Sequence, residues 1–421
     1  MIIDLNYGEK IVSLDIPDRN FLGVIKPEDI DGLDDPAAEV KRSLAEPIGS
    51  QRLKELVFPD GRIVILVSDI TRPVPSKILL PPILEEIKTA GIDDNQVKIV
   101  FGLGVHRKQT EKEKKDLVGK KIYERIECIE HDLEDCEQVG VTSRGTKAAV
   151  FRKVLEADFV IATGNLEFHY FAGYSGGAKA LAPGVCSRAT IESNHSLFLH
   201  PDAKAGMLKG NPLREELEEI AAMVRVDFMV NAVLNPQKEI IKVVAGDMTA
   251  AHRAGAEYLD RIYRLPIDEP ADIVITSPGG FPKDINLYQA HKAMQNALPA
   301  VKKGGIILTI ACCKEGIGEE NLSRALMEDL SLAERVDELK HKFIQGRHIA
   351  SQMAKIQLEH KIYLVSDLPP EVIKDLFFRC FDSPQKALSE ALKAQGKDAR
   401  VLIMPFGIAC LPYLKSLPIN Y

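Results

Sequence analysis

The sequence predicts an α/β protein with two domains and largely parallel sheets. Short apolar runs end in polar residues and alternate with stretches of helical spacing, as where Arg62–Asp69 is followed by Ile78–Ala90. Such runs suit strands buried on both faces, the pattern of parallel sheets joined by crossover helices. The chain has 421 residues. Because single hydrophobic cores stop growing at roughly 250–300 residues, we expect two domains.

Strand-like runs recur along the whole chain. A hairpin is expected first, from Ile2–Leu5 and Ile11–Ile16 around the turn signal Asn6-Tyr7-Gly8. Later strands are expected at Arg62–Asp69, Val97–Leu103, Phe159–Thr163, Ile273–Thr276, Gly305–Ile310 and Val401–Met404. Segments 157–164 and 271–279 are similar in sequence. Each is expected to be the core strand of its own domain, although parallel strands in general share this pattern.

The domain boundary is predicted near residue 266. The helical stretch Asp247–Arg264 ends at Leu265-Pro266, and Asp268-Glu269-Pro270 breaks the pattern. We therefore expect an N-terminal domain over residues 1–266 and a C-terminal α/β domain over residues 267–421. The segment Leu411–Leu417 is expected to form a short terminal helix that packs back on the first domain.

Charge and composition argue against several classes of protein. The 54 basic and 61 acidic residues give a net charge of −7, whereas nucleic-acid binders usually carry a basic face. No apolar run reaches the roughly 18–20 residues of a membrane span, and the N-terminus has no signal core. The seven cysteines are odd in number and scattered, with no CxxC motif. A reduced, cytoplasmic protein without nucleic-acid or membrane partners is therefore predicted.

Reactive side chains follow the strands of the predicted first domain. In open α/β sheets, ligands bind beyond the carboxyl ends of the strands. The first run is followed by Asp69, Thr71 and Arg72, and the second by His106. Arg72 has the donors to grip a carboxylate or phosphate, with a surface ion pair as the alternative. His106 can exchange protons near neutral pH, with a structural role as the alternative.

The segment after Phe159–Thr163 carries the largest number of candidate functional residues. It carries His169, then Ser175-Gly176-Gly177 and Lys179, and later His195. Glycines before a helix and a lysine suggest a phosphate cradle. Neither the P-loop pattern nor the GxGxxG dinucleotide pattern is present. The histidines lack the close spacing of a zinc protease site.

A second group of candidates lies in the predicted C-terminal domain. Gly279-Gly280 follows a strand, and the next helix is expected to carry Tyr288, Gln289 and Lys292. Gln289 and Lys292 are three residues apart and so share a helical face. Both can donate hydrogen bonds to an anionic or hydroxylated ligand, although a solvated helix face is the alternative.

Together these motifs resemble the nickel-pincer lactate racemase family of 2-hydroxyacid racemases and epimerases. The loop Asp69-Ile70-Thr71-Arg72-Pro73 is similar to the D-x-T-R-P loop of the family, and 104–107 to its G-x-H-R element. The core H-x4-[YF]-S-G-G-x-K is matched by 169–179, the later metal-ligand histidine by His195, and the substrate-binding helix by 288–292. The resemblance covers almost the whole chain, in order and in register.

The resemblance implies a cofactor and a role for each matched residue. The cofactor is a nickel(II) pyridinium-3,5-bisthiocarboxylate mononucleotide, the nickel-pincer nucleotide, which holds nickel through sulfur, carbon and sulfur. Lys179 would tether it by a thioamide, His195 would ligate nickel, and His106 and His169 would be the acid/base pair. Cofactor contacts are implied for Asp69, Ile70, Thr71, Arg72, Ser175, Gly176 and Gly177, and substrate contacts for Arg72, Tyr288, Gln289 and Lys292. The first domain would then bind the cofactor, the second would clamp the substrate, and the active site would lie in the cleft between them.

The implied activity is inversion of a 2-hydroxy acid through a 2-keto acid intermediate, by proton-coupled hydride transfer to and from the cofactor. Cofactor-biosynthesis proteins are implied as partners. Family lactate racemases can carry a tryptophan beside the site, and this chain has none. Malate, 2-hydroxyglutarate or another 2-hydroxy acid therefore stays open beside lactate. Two other classes of function remain: a nicotinamide-dependent hydroxyacid oxidoreductase, which needs the missing dinucleotide motif, and a nucleotide-binding or metal-storage module without turnover.

Overall fold

A computed structural model describes residues 1–338 and 343–416. It divides into two compact units. The central unit is formed by residues 29–259, and the split unit by residues 1–28 together with the described residues from 260 to 416. Each unit has its own six-stranded sheet. The prediction of an α/β fold with largely parallel sheets is confirmed.

The strands, in chain order, are β1 (Ile2–Tyr7), β2 (Lys10–Asp15), β3 (Phe21–Val24), β4 (Ile63–Ser68), β5 (Val97–Gly102), β6 (Glu127–Glu130), β7 (Cys136–Val141), β8 (Lys147–Phe151), β9 (Phe159–Leu166), β10 (Phe168–His169), β11 (Gly173–Tyr174), β12 (Phe228–Leu234), β13 (Ile240–Gly246), β14 (Arg264–Ile267), β15 (Ala271–Thr276), β16 (Val301–Ile310), β17 (Lys361–Val365), β18 (Arg379–Phe381), β19 (Val401–Met404) and β20 (Leu411–Leu414).

The helices are α1 (Pro36–Ala45), α2 (Leu53–Leu56), α3 (Ser76–Thr89), α4 (Glu111–Val118), α5 (Lys120–Arg125), α6 (Arg152–Leu155), α7 (Arg188–Ser196), α8 (Pro212–Val224), α9 (Met248–Tyr263), α10 (Leu287–Ala297), α11 (Glu320–Met327), α12 (Leu332–Asp337), α13 (Arg347–Glu359), α14 (Pro370–Ile373) and α15 (Pro384–Gln395).

The sheet of the central unit has the strand order β13-β12-β9-β4-β5-β6. All neighbours in it are parallel except β12 and β13. All eight residues of β9 are buried, as expected for a strand covered on both faces. The chain runs outward from β4 through β5 to β6 and then returns to place β9 on the other side of β4. The strand order therefore reverses between β4 and β9, the position where open α/β sheets bind ligands.

The sheet of the split unit has the order β18-β17-β16-β15-β19-β3, with all neighbours parallel. Its strand order reverses between β15 and β19. The loop after β15 leads into α10, which carries the predicted substrate residues. The similar segments 157–164 and 271–279 contain β9 and β15, so each contributes a central strand to its own unit.

Two details differ from the sequence-based expectation. Residues 1–28 were predicted within the first domain, but the edge strand β3 pairs with β19, so they join the split unit. The segment Leu411–Leu417 was predicted to be a helix, but Leu411–Leu414 is the strand β20, which pairs with β14. Lys415 N donates to Ile267 O at 3.0 Å, which extends this pairing. Residues 417–421 lie outside the described part of the chain.

Candidate functional site

The loop after β4 holds the loop after β5 through an Asp–His pair. His106 Nδ1 lies 2.8 Å from Asp69 Oδ2, and the other oxygen, Oδ1, accepts from Thr71 N at 2.7 Å. Burial alone would raise the pKa of Asp69, but the hydrogen bonds from His106 and Thr71 lower it below its usual value. Asp69 is therefore an ionised acceptor. It places the proton of a neutral His106 ring on Nδ1 and the lone pair on Nε2.

The backbone amides of Ile70 and Arg72, two other predicted residues of this loop, form hydrogen bonds within the protein. Ile70 N donates to Gln109 Oε1 at 2.9 Å, and the Ile70 side chain is exposed. Arg72 N closes a turn on Asp69 O at 3.1 Å. The positive charge of Arg72 also disfavours the ammonium form of Lys179, so the loop after β4 lies within electrostatic range of the segment after β9.

The segment after β9 brings His169 and Lys179 together. His169 Nδ1 accepts from Ala172 N at 3.2 Å, and His169 Nε2 lies 3.4 Å from Lys179 Nζ. The accepting Nδ1 places the proton of a neutral ring on Nε2, facing the amine. Burial, followed by the charges of Arg72 and Arg214, holds the pKa of Lys179 well below its usual value.

Phe171 is the common neighbour of the reactive side chains on this segment. The centroid of its ring lies 4.5 Å from that of His169 and 5.2 Å from that of His195. Lys179 Nζ lies 5.7 Å from the same centroid. His195 is in the last turn of α7, so the structure brings the predicted metal ligand to the same ring as the predicted tether. Sequence reasoning missed Phe171, because one aromatic residue within the aromatic-rich run 168–174 has no distinctive pattern.

The glycines of 175–177 serve close packing within the protein. Gly177 N donates to Asn231 Oδ1 at 2.8 Å, and Ser175 O lies 2.9 Å from His252 Nε2. A Cβ on Gly176 would lie 2.3 Å from Asn231 Oδ1, and one on Gly177 would lie 2.6 Å from His252 Cδ2. The expected phosphate cradle is thus, in geometry, a tight turn whose Gly177 amide is already bonded. Asn231 on β12 and His252 on α9 escaped the sequence analysis because they lie far along the chain.

In the split unit, the predicted helix face is formed as expected. Lys292 Nζ donates to Gln289 Oε1 at 2.7 Å, and both side chains are half-buried. Tyr288 packs partly against the hydrophobic core of the unit. The glycines before α10 were expected to favour a ligand-facing surface, but a Cβ on Gly280 would lie 2.8 Å from Asn6 Cβ. That glycine therefore allows the β1–β2 hairpin to approach closely.

Models of the two lactate racemase domains match this chain. The N-terminal domain model matches residues 7–206 and the C-terminal domain model matches residues 267–411. The chain belongs to the lactate racemase family. The lactate racemase of Thermoanaerobacterium thermosaccharolyticum is 34% identical, over 97% of this chain and 98% of the relative. The lactate racemase of Lactiplantibacillus plantarum is 32% identical, over 97% and 99%.

Solved structures agree with this family assignment. The lactate racemase apoprotein from T. thermosaccharolyticum superposes with a TM-score of 0.92 at 32% identity, covering 98% of this chain and all of that one. A protein from Thermotoga maritima superposes with a TM-score of 0.65 at 17% identity, which shows a shared fold alone. The predictions of family and of a racemase, an isomerase, are confirmed. Among the described residues, no helix has the length and apolar character needed to cross a bilayer.

Proposed function

We propose that this protein is a 2-hydroxyacid racemase of the lactate racemase type, with lactate as the first substrate to test. The observation that supports this most directly is the complementary bonding of two imidazoles, one after β5 and one after β9. His106 donates through Nδ1 to Asp69, while His169 accepts through Nδ1 from a backbone amide. In their neutral forms, His106 therefore offers a lone pair at Nε2 that can take a proton, and His169 offers an N–H at Nε2 that can donate a hydrogen bond to a substrate oxygen. Inversion needs one ring that takes a proton as a neutral imidazole and one that returns a proton as an imidazolium.

The two histidines act as a base and an acid on the hydroxyl proton of the substrate. One neutral ring takes the proton as the 2-hydroxy acid becomes a planar 2-keto acid, and the other returns a proton as the opposite face is reduced. A residue with an unperturbed pKa near ~6.5 serves in both states. Asp69 keeps the His106 ring in one orientation throughout, because its carboxylate stays ionised.

The cofactor implied by the family is the nickel-pincer nucleotide, and the residues present fit it. No group of three or more His, Cys, Asp or Glu side chains among the described residues is arranged to hold a metal ion. Nickel held by His195 would therefore need its other ligands from an organic group, and imidazole suits nickel. When bound, the nucleotide supplies the carbon that accepts and returns the hydride. The lowered pKa of Lys179 favours the neutral amine, the form suited to a covalent tether.

Cations near both sheets suit the substrate carboxylate. Arg72 lies in the loop after β4, and Lys292 and Gln289 present hydrogen-bond donors on α10. We assign these, with Tyr288, to substrate binding. Malate and 2-hydroxyglutarate share the carboxylate and hydroxyl of lactate, so they belong in the substrate panel.

The compartment and partners follow from the same chemistry. All seven cysteines are free, which suits the reducing cytoplasm. Cofactor-biosynthesis proteins would have to supply the nucleotide before turnover.

The test is a chiral assay on holoprotein made with the cofactor-biosynthesis machinery. Each enantiomer of lactate, malate and 2-hydroxyglutarate is supplied to wild type, His106→Ala and His169→Ala. We expect wild type to racemise one acid in both directions. Each variant should lose on the order of 10²–10⁴-fold in both directions, because each direction uses both rings in turn.

The runner-up oxidoreductase predicts a different result. It would give net keto acid with a change in nicotinamide absorbance, and one histidine would be dispensable. Near wild-type racemisation by either holo-variant would refute the two-base arrangement.

A further inference from the structure

The backbone carbonyls of Phe171, Ala172, Gly173 and Tyr174 are all held by one neighbouring segment, residues 206–214. Asn211 Nδ2 donates to Phe171 O at 2.9 Å, and Gly206 N donates to Gly173 O at 3.0 Å. Arg214 holds the other two: its Nε donates to Ala172 O at 3.2 Å and its Nη2 to Tyr174 O. These four carbonyls lie between His169 and Lys179 in the sequence. The segment therefore fixes the conformation of the chain that joins the two side chains.

The positive charge of Arg214 is buried and only partly balanced by neighbouring groups. Its side chain is fully buried, and its Nη1 atom has no hydrogen-bond partner within the described residues. Glu218 Oε1 lies 3.9 Å from that atom, but Glu218 is also bound by Arg253 at 2.8 and 2.9 Å. Burial lowers the pKa of Arg214 to about 10, so the guanidinium stays charged at neutral pH. Two neutral donors would be enough to hold the carbonyls of Ala172 and Tyr174. The buried positive charge of Arg214 is not needed for these two hydrogen bonds and therefore requires another explanation.

The charged and titratable groups around Lys179 point to that explanation. Arg72 from the loop after β4 and Arg214 from α8 disfavour the ammonium, whereas Glu167 favours it. His169 Nε2 lies 3.4 Å from Lys179 Nζ and can donate a hydrogen bond to the neutral amine. Two cations oppose one carboxylate, and Glu167 is exposed. Solvent weakens the effect of an exposed charge more than that of a buried one.

We propose that Arg214 is a positioning residue for Lys179. Its guanidinium fixes the backbone of residues 172–174 so that His169 and Lys179 face each other. Its buried charge disfavours the ammonium form of Lys179 and so favours the neutral amine, the form that reacts with an electrophile. The proposal deepens the proposed function, since a cofactor tether needs a neutral amine. It can nevertheless be measured without any cofactor.

The experiment follows acetylation of Lys179 by acetic anhydride against pH, by peptide mass spectrometry on the full chain made without cofactor machinery. The exposed Lys209 in the same chain is the internal reference. We expect the midpoint for Lys179 to lie well below that for Lys209. Arg214→Met removes the charge and should raise the Lys179 midpoint by on the order of one pH unit, which is about tenfold in rate at a fixed lower pH. Arg214→Lys keeps the charge and should restore most of the wild-type midpoint.

Glu218→Gln covers the case in which Arg214→Met does not fold. It alters a side chain that is 20% exposed and removes the carboxylate nearest to Arg214, so the Lys179 midpoint should fall further. An unchanged midpoint in folded Arg214→Met, or in Glu218→Gln, would overturn the proposal, as would an Arg214→Lys midpoint displaced as far as that of Arg214→Met. A wild-type holoprotein that lacks racemase activity would refute the proposed function and leave these midpoints as they are.

Discussion

His169 Nε2 and Lys179 Nζ lie 3.4 Å apart, at the two ends of one segment that turns back on itself. The turn depends on contacts from three distant elements: β12 supplies Asn231, α8 supplies Arg214, and α9 supplies His252. The reactive pair is therefore local in sequence but is held in place by residues far along the chain. The predictions below separate these contributions.

The first prediction concerns the stability of Lys179→Met. Because the pKa of Lys179 is lowered on folding, the unfolded chain binds this proton more tightly than the folded chain. The resulting penalty is complete below the folded-state pKa and disappears as pH rises to the unfolded value near ~10.4. Lys179→Met should therefore unfold at a higher temperature than wild type at pH 7, by roughly 2–4 °C for each kcal/mol relieved. Thermal melts from pH 6 to 10 should show the gap narrowing. The exposed Lys209→Met should show no such trend, and a gap that widens with pH would contradict the prediction.

The second prediction concerns Asp69→Asn. The pKa of Asp69 is lowered in the folded state, so its stabilising effect is present above the unfolded pKa and is lost as pH falls through the folded one. The variant should lose less stability than wild type on acidification from pH 5 to 2, as measured by urea unfolding. Racemisation should fall by on the order of 10²-fold or more, because His106 is no longer held by a carboxylate.

A matched control for this variant is Asp202→Asn. Asp202 also faces a histidine, at 3.9 Å from His200 Nδ1, but both side chains are exposed. Exposed pairs contribute little, so this variant should resemble wild type in both assays. Equal effects of Asp69→Asn and Asp202→Asn on stability and racemisation would show that the buried Asp69–His106 pair has no special role.

The third prediction compares two glycines with positive φ. Gly177 has a φ of +57°, and a Cβ added there would lie 2.6 Å from His252 Cδ2. Gly145 has a φ of +88°, and a Cβ added there would have no heavy atom within 4 Å among the described residues. Gly145→Ala should cost about 1–2 kcal/mol from backbone strain alone. Gly177→Ala should cost more and should also reduce acetylation of Lys179, because the turn must move away from His252. Chemical denaturation and peptide mass spectrometry measure the two effects. Similar losses in both variants would show that packing against His252 is unimportant.

The fourth prediction is that nickel loading depends on His195. The ring of His195 lies beside Phe171, near Lys179, and imidazole suits nickel. His195→Ala made with the cofactor machinery should lose most of its nickel and keep its circular dichroism spectrum. The exposed His200→Ala is the control and should keep its nickel. Full nickel occupancy in His195→Ala would exclude it as the ligand.

The sequence-based analysis found the elements whose signals are local. Apolar runs located β4, β5 and β9, and the residues after each strand pointed to Asp69, His106 and His169. The fixed spacing of Gln289 and Lys292 predicted their shared face, since helical geometry alone decides it.

Features that depend on long-range contacts were not predictable in this way. The strand β20 was expected to be helical, because its strand state depends on pairing with β14 far upstream. The glycines of 175–177 suggested a ligand, whereas their neighbours are Asn231 and His252. Arg214 and its carbonyl contacts left no pattern in the sequence at all.

The pairing of β3 with β19 has a consequence for biosynthesis. Residues 21–24 are synthesised about 380 residues before their partners at 401–403. At roughly 5–20 residues per second, the first strand waits for about 20–80 seconds. The central unit, residues 29–259, is complete during that interval and can fold while β3 is still unpaired. The central unit can therefore hold His106, His169 and Lys179 in folded form before the sheet of the split unit is complete.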